Sequence, residues 1–155
     1  MEFTFKCIEL MTPTLIKSRG LFIFSERVIL EMQKLLYVGI GGFIGSCLRY
    51  LISLHSPKLF GTQLPYGTLI VNVVGGILIG FIIDFSIKSG IISPNLRLFL
   101  TTGIMGGFTT FSTFSYETIN LLNEGSYLLG TLNIGLNLFL SLGGVVLGKF
   151  IVQMI

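Results

Sequence analysis

The run Gly103-Ile-Met-Gly-Gly-Phe-Thr-Thr-Phe-Ser-Thr-Phe-Ser-Tyr-Glu117 holds the residues best suited to chemistry. Phe108, Phe111 and Phe114 recur every three residues, and Thr109, Ser112, Thr113 and Ser115 fill the gaps. A phenyl ring has a positive edge and a hydroxyl offers a donor. Side by side they solvate an anion weakly and at several points, which a pathway needs if an ion that enters is to leave. Phenylalanines at helical spacing are otherwise ordinary core or lipid-facing residues; the interleaved hydroxyls favour the pathway. Gly106-Gly107 and then Thr109-Thr110 are poor helix material, since glycine costs about 1 kcal/mol against alanine in a helix interior. An unwound turn is expected near Gly106–Thr109. Freed carbonyls there would coordinate a cation, and the resumed helix would aim its amides at an anion. The competing reading is a glycine kink that serves packing alone.

Amides and a few charges complete the set. Asn72 lies in Gly-Thr-Leu-Ile-Val-Asn-Val-Val-Gly-Gly and offers two donors. Asn133, Asn137 and Ser141 fall at i, i+4 and i+8, one helix face, as a stripe about 12 Å long. Each asparagine alone would suit an interhelical hydrogen bond; three polar groups in line favour a hydrated track. Arg49 closes a glycine-rich run. It either snorkels to the interface or attracts anions at a vestibule. Glu117 ends the polar run as an acceptor or helix-end group, and Asp84 and Lys88 are spaced as an i, i+4 ion pair.

Positioning these residues requires a membrane fold. The chain has 155 residues, is 52% hydrophobic and 11% charged, and has a mean hydropathy of +0.88; soluble domains carry about 25% charged residues. Apolar stretches at about 35–54, 67–87, 96–122 and 127–152 are separated by turn-forming residues such as Ser56-Pro57, Pro65 and Ser93-Pro94. Four helices, up-down-up-down, follow; a β-barrel would need short alternating strands. Each helix has a small-xxx-small pair: Gly41/Gly45, Gly76/Gly80, Gly103/Gly107 and Gly144/Gly148. In lipid such residues let backbones approach closely. Four helices enclose little volume, so a solute pathway is expected between protomers. Residues 1–31 are charge-rich and balanced, and read either as a cytoplasmic tail or as an artefactual extension before a true start at Met32. They lack the pattern of a signal peptide. From Met32 onward the terminal side carries Lys34, Lys88, Arg97 and Lys149 against Arg49 and Lys58 opposite, a slight bias for termini inside. Two cysteines and one histidine leave no disulfide framework, metal cluster or nucleophile–base pair, so an enzyme is not expected, nor a nucleic-acid partner.

Three motifs, GGFIGSCLRY (41–50), GTLIVNVVGG (67–76) and GIMGGFTTFSTFSYE (103–117), resemble the signatures of the CrcB/Fluc family of fluoride channels. Their order and spacing match over residues 32–155. The resemblance implies an all-α membrane protein, an antiparallel dual-topology homodimer enclosing two fluoride pores in the cell membrane. It implies passive fluoride export that relieves toxicity. It also implies a structural Na+ at the dimer centre, held by backbone carbonyls of Gly106 and Thr109. Phe111 and Phe114 become the pore phenylalanines, with Asn72, Ser112 and Thr113 beside them and Arg49 in the vestibule. Ser115, Asn137 and Ser141 extend the polar pathway. Asn133 departs from the pattern, standing where an aromatic hydroxyl is expected. Some relatives work as pairs of oppositely inserted chains, so a heterodimer with a paired homologue is a second assembly. A small multidrug or cation transporter has a similar size but needs an acidic residue in its first span, where this chain has none. A structural membrane protein whose glycines only pack helices is the third reading.

Overall fold

A computed structural model describes the backbone from Glu2 to Ile155 and the side chains from Val28. The chain divides into two units, Met1–Leu36 and Tyr37–Ile155. The first carries an exposed Lys34–Glu31 ion pair at 2.7 Å. The readings of residues 1–31 as a tail or an extension bear largely on residues 1–27, whose side chains lie outside the described ones. The second unit holds the packed helices.

The fold is all-helical, with no strand among the described residues. Helix α1 spans Glu2–Phe60, α2 Tyr66–Ser89 and α6 Tyr127–Met154. Three stretches, Val28–Phe60, Tyr66–Ser89 and Tyr127–Met154, are long and apolar enough to cross a membrane. Between α2 and α6 the third apolar segment is assembled from pieces. These are α3 (Pro94–Leu98), a π-helical stretch (Phe99–Met105), α4 (Gly106–Phe108) and α5 (Phe111–Asn123). No single piece of it is long enough to span alone, because the helix is interrupted. Large apolar side chains such as Phe43 and Phe139 stay exposed, as a lipid-facing surface requires.

Local signals set most ends. Ser93 caps α3 by accepting the Leu96 N–H at 3.3 Å, ahead of Pro94 at a position where its missing N–H costs nothing. Gly90 closes α2 at φ 65, a backbone conformation that favours glycine. One end differs from the sequence reading. Helix α1 passes through Pro57, expected as a terminator, and stops at Phe60 before Gly61 at φ 85. Proline removes one N–H from the ladder, and the turn recovers at once with Gly61 N–H donating to Pro57 O at 3.0 Å.

All four small-residue pairs sit at close backbone approaches. A Cβ on Gly76 or Gly80 would strike the Ser141 or Val145 carbonyl of α6, and one on Gly144 or Gly148 the Val73 or Ile77 carbonyl of α2. Likewise, Gly41 and Gly45 abut Phe99 O and Ile104 O, while Gly103 and Gly107 abut Gly41 Cα and Gly42 O. Dispersion between touching backbones replaces the hydrophobic effect that lipid withholds. The third segment is thereby clamped against α1 just before its break.

Charged residues pair differently from the expected i, i+4 pattern. Asp84 meets Lys149 of α6 at 3.8 Å, and Lys88 Nζ donates to the Val152 carbonyl at 3.0 Å. The α2–α6 packing brings these partners within reach, and a cation at a helix C-terminus satisfies an unpaired carbonyl.

Candidate functional site: a cavity at the broken helix

The break falls at Thr109 and Thr110, one step beyond Gly106-Gly107. Thr109 has φ −82, ψ 159 and Thr110 φ −152, ψ 118, both extended. Gly106 and Gly107 remain helical. Gly107 serves the contact with α1, where a Cβ would strike Gly42 O, rather than the unwinding. The extended pair is held from three sides. Thr109 keeps N–H and Oγ1 bonds to Met105 O, each 3.0 Å. Asn72 of α2 reads the Thr110 backbone like a base pair. Its Oδ1 accepts the Thr110 N–H at 2.9 Å, and its Nδ2 donates to Thr110 O at 3.2 Å. Thr110 then caps α5, its Oγ1 accepting the Thr113 N–H at 3.2 Å.

This arrangement diverts two N–H groups. In an unbroken helix the Thr110 and Thr113 amides would pair with the carbonyls of Gly106 and Thr109. Here they go to Asn72 Oδ1 and Thr110 Oγ1. The Gly106 and Thr109 carbonyls are thus released from the helical ladder. Gly106 is exposed, and a Cβ built on it would meet nothing nearer than Thr101 O at 4.0 Å. Upstream, the π-helical turn lets Gly106 N–H reach Thr101 O. Such turns favour functional sites, and nothing in Phe-Leu-Thr-Thr-Gly-Ile-Met announced one.

A cavity of about 650 Å³ opens at the break. Five of the pathway residues expected from sequence line it: Asn72, Phe111, Phe114, Asn137 and Ser141. Gly106 and Thr109 line it as well, and no charged side chain does. The Phe111 and Phe114 rings lie 5.6 Å apart, tilted at 56°. Phe111 is 79% exposed, so the cavity's rim is open along α5. Ser141 Oγ is buried in the cavity wall without a hydrogen-bond partner.

Other expected residues lie outside it. Ser112 and Thr113 bond Thr110 Oγ1 at 3.3 and 3.0 Å, and Ser115 donates to Phe111 O at 2.9 Å. Arg49, half-buried on α1, lines neither this cavity nor a second one of about 280 Å³. That second cavity lies between the α1–α2 loop and the end of α5, where Gln63, Glu117 and Glu124 gather. Glu117 Oε2 is buried without a partner.

The asparagines form one network. Asn72 Nδ2 donates to Asn137 Oδ1 at 3.0 Å, and Asn137 Nδ2 donates to Asn133 Oδ1 at 2.9 Å and to Asn133 O at 3.1 Å. Asn133 Nδ2 donates to Thr118 Oγ1 at 2.8 Å. Asn133 and Asn137 are 2% and 5% exposed. Sequence reasoning missed Thr110 and Thr118. Their hydroxyls sit among many others, and only the register of α5 against α2 and α6 singles them out.

Apolar helices, backbone-tight crossings and an interrupted segment beside an uncharged, largely apolar cavity with a few polar groups in its wall define a multi-pass helical membrane protein. Sequence comparison makes the assignment specific. The family model described as CrcB-like protein, Camphor Resistance (CrcB), matches residues 36–149. The fluoride-specific ion channel FluC of Clostridium novyi (strain NT) is 60% identical over 121 residues, 76% of this chain and 94% of that protein. The FluC of Clostridium perfringens (strain 13 / Type A) is 61% identical over the same shares. That of Ruminiclostridium cellulolyticum is 46% identical over 125 residues, 81% of this chain and 96% of that protein. The chain belongs to the CrcB family.

Proposed function

We propose that this protein is a fluoride-selective channel that lets fluoride leave the cytoplasm down its gradient and so relieves fluoride toxicity. The observation that carries the reading is the uncharged cavity, where ring edges, hydroxyls and amides meet at a helix break. Relatives of high identity named as fluoride-specific ion channels support it. Fluoride is small and strongly hydrated, so its water must be replaced by donors along the whole path. Phe111 and Phe114 offer ring edges, Ser141 a free hydroxyl, and Asn72 and Asn137 amides in the wall. A fixed lysine or arginine midway would trap the ion, whereas several weak sites release it. Ser112, Thr113 and Ser115 support the pathway as part of the α5 start, and Arg49 draws anions toward its entrance.

The functional unit in this reading is an antiparallel, dual-topology homodimer in the cell membrane. The exposed Gly106 beside the break favours a second copy over lipid as the covering surface, because backbone freed from its helix is tolerated at membrane depth only where protein or water covers it. The alternative assembly, with a paired homologue, leaves the same residues at the contact. A Na+ ion fits the released carbonyls of Gly106 and Thr109, since unwound backbone at membrane depth supplies hard oxygen ligands. Bound there, Na+ would tie the break together electrostatically. The protein's own part is the diversion of two amides to Asn72 and Thr110, which frees those oxygens.

Fluoride efflux from protein-containing liposomes tests the function, with chloride efflux as the selectivity control. Efflux of fluoride with retention of chloride is expected. Efflux no greater than from empty liposomes sinks the reading.

A further inference from the structure

We propose that Asn133 and Thr118 are positioning residues that set the Phe114 ring against the amides of the pathway wall; the inference rests on the channel reading above. Asn133 is 2% exposed. A fully buried asparagine in the membrane needs partners for its oxygen and nitrogen. Its Oδ1 accepts from Asn137 and its Nδ2 donates to Thr118 Oγ1 at 2.8 Å. Thr118, itself 5% exposed, passes the contact on, donating Oγ1–H to the Phe114 carbonyl at 2.7 Å. That carbonyl belongs to the residue whose ring lines the cavity.

The pieces make a closed circuit. Asn72 ties the Thr110 backbone to Asn137, Asn137 ties to Asn133, and Asn133 ties through Thr118 to Phe114. Helix α5 is therefore fixed at its N-cap, Thr110, and again at Thr118 about two turns on, about 12 Å along its axis. Two anchors on one helix fix its rotation as well as its position. Rotation of α5 is the variable that sets how the Phe114 ring faces the Asn72 and Asn137 amides of α2 and α6. An asparagine suits this role because one side chain both accepts and donates at a single depth.

Two readouts test the pair. The first is fluoride efflux. Thr118→Val, which removes the hydroxyl, should slow efflux about tenfold, less than the ~100-fold that a 1 Å misplacement of a reacting group can cost, whereas Thr118→Ser should stay near the wild-type rate. The double variant Asn133→Ala/Thr118→Val should be no slower than the slower single variant, as expected for residues acting through one contact. The second is the 19F resonance of a fluorinated phenylalanine at position 114. It should move in Asn133→Ala and in Thr118→Val and stay in place in Thr118→Ser. An unmoved resonance in both Asn133→Ala and Thr118→Val, or a Thr118→Ser variant as impaired as Thr118→Val, overturns the relay. A wild-type protein that conducts no fluoride instead overturns the channel reading, and the resonance still judges the relay.

Discussion

Replacing Asn72 by alanine should destabilise the protein by about 2–5 kcal/mol. The side chain makes three hydrogen bonds, two to the Thr110 backbone and one to Asn137. Interhelical hydrogen bonds in membranes average ~0.6 kcal/mol each, which gives ~2 kcal/mol as a lower figure. The substitution also strands the Thr110 N–H, in a residue 7% exposed, and a buried unsatisfied group costs about 1–3 kcal/mol. Thr110 caps α5, so the loss should spread to the helix that carries both phenylalanines. Equilibrium unfolding in detergent measures the difference. Ser115→Ala is the control, because that hydroxyl only back-bonds to Phe111 O within its own helix; its effect should stay within ~0.5 kcal/mol. An Asn72→Ala variant as stable as that control would refute the claim that Asn72 holds the break.

The close helix approaches give a paired test. Gly148→Ala drives a Cβ into Ile77 O and should cost about 1–3 kcal/mol, while Gly135→Ala, with nothing within 4 Å, should be neutral or stabilise by up to about 1 kcal/mol; thermal melts compare the two. Phe111→Ile and Phe114→Ile should each lower fluoride efflux while leaving the oligomer intact by size-exclusion chromatography. Exchanging Na+ for a large organic cation should lower the melting temperature or stop efflux; indifference to the cation counts against a site at Gly106 and Thr109. Lys149→Ala, which removes a half-exposed partner 3.8 Å from Asp84, should change stability by less than ~1 kcal/mol.

The sequence made the membrane fold legible because apolar runs and turn residues alternate without ambiguity. Small-residue spacing also told true, since glycines that share a face at i, i+4 are the ones that meet carbonyls across α2 and α6. The break was legible to within a residue or two. It shifted to Thr109–Thr110 because the Asn72 amide captures Thr110, a long-range contact that local propensity does not encode. The same holds for Asp84, whose partner comes from α6 instead of its own helix. Sequence placed Asn133, Asn137 and Ser141 on one face, and the structure separates their circumstances. Asn133 and Asn137 bond to protein, and Ser141 Oγ has no partner. That division depends on the register of three helices. The π-helical turn at Phe99–Met105, whose Phe99 and Ile104 carbonyls lie against Gly41 and Gly45, had no signal in its own residues.

Current across a planar bilayer containing the purified protein, with fluoride unequal on the two sides and chloride present throughout, tests the central claim most directly. The account predicts a steady current that reverses at the fluoride equilibrium potential. A current that reverses at the chloride potential, or none above the bare bilayer, would contradict it.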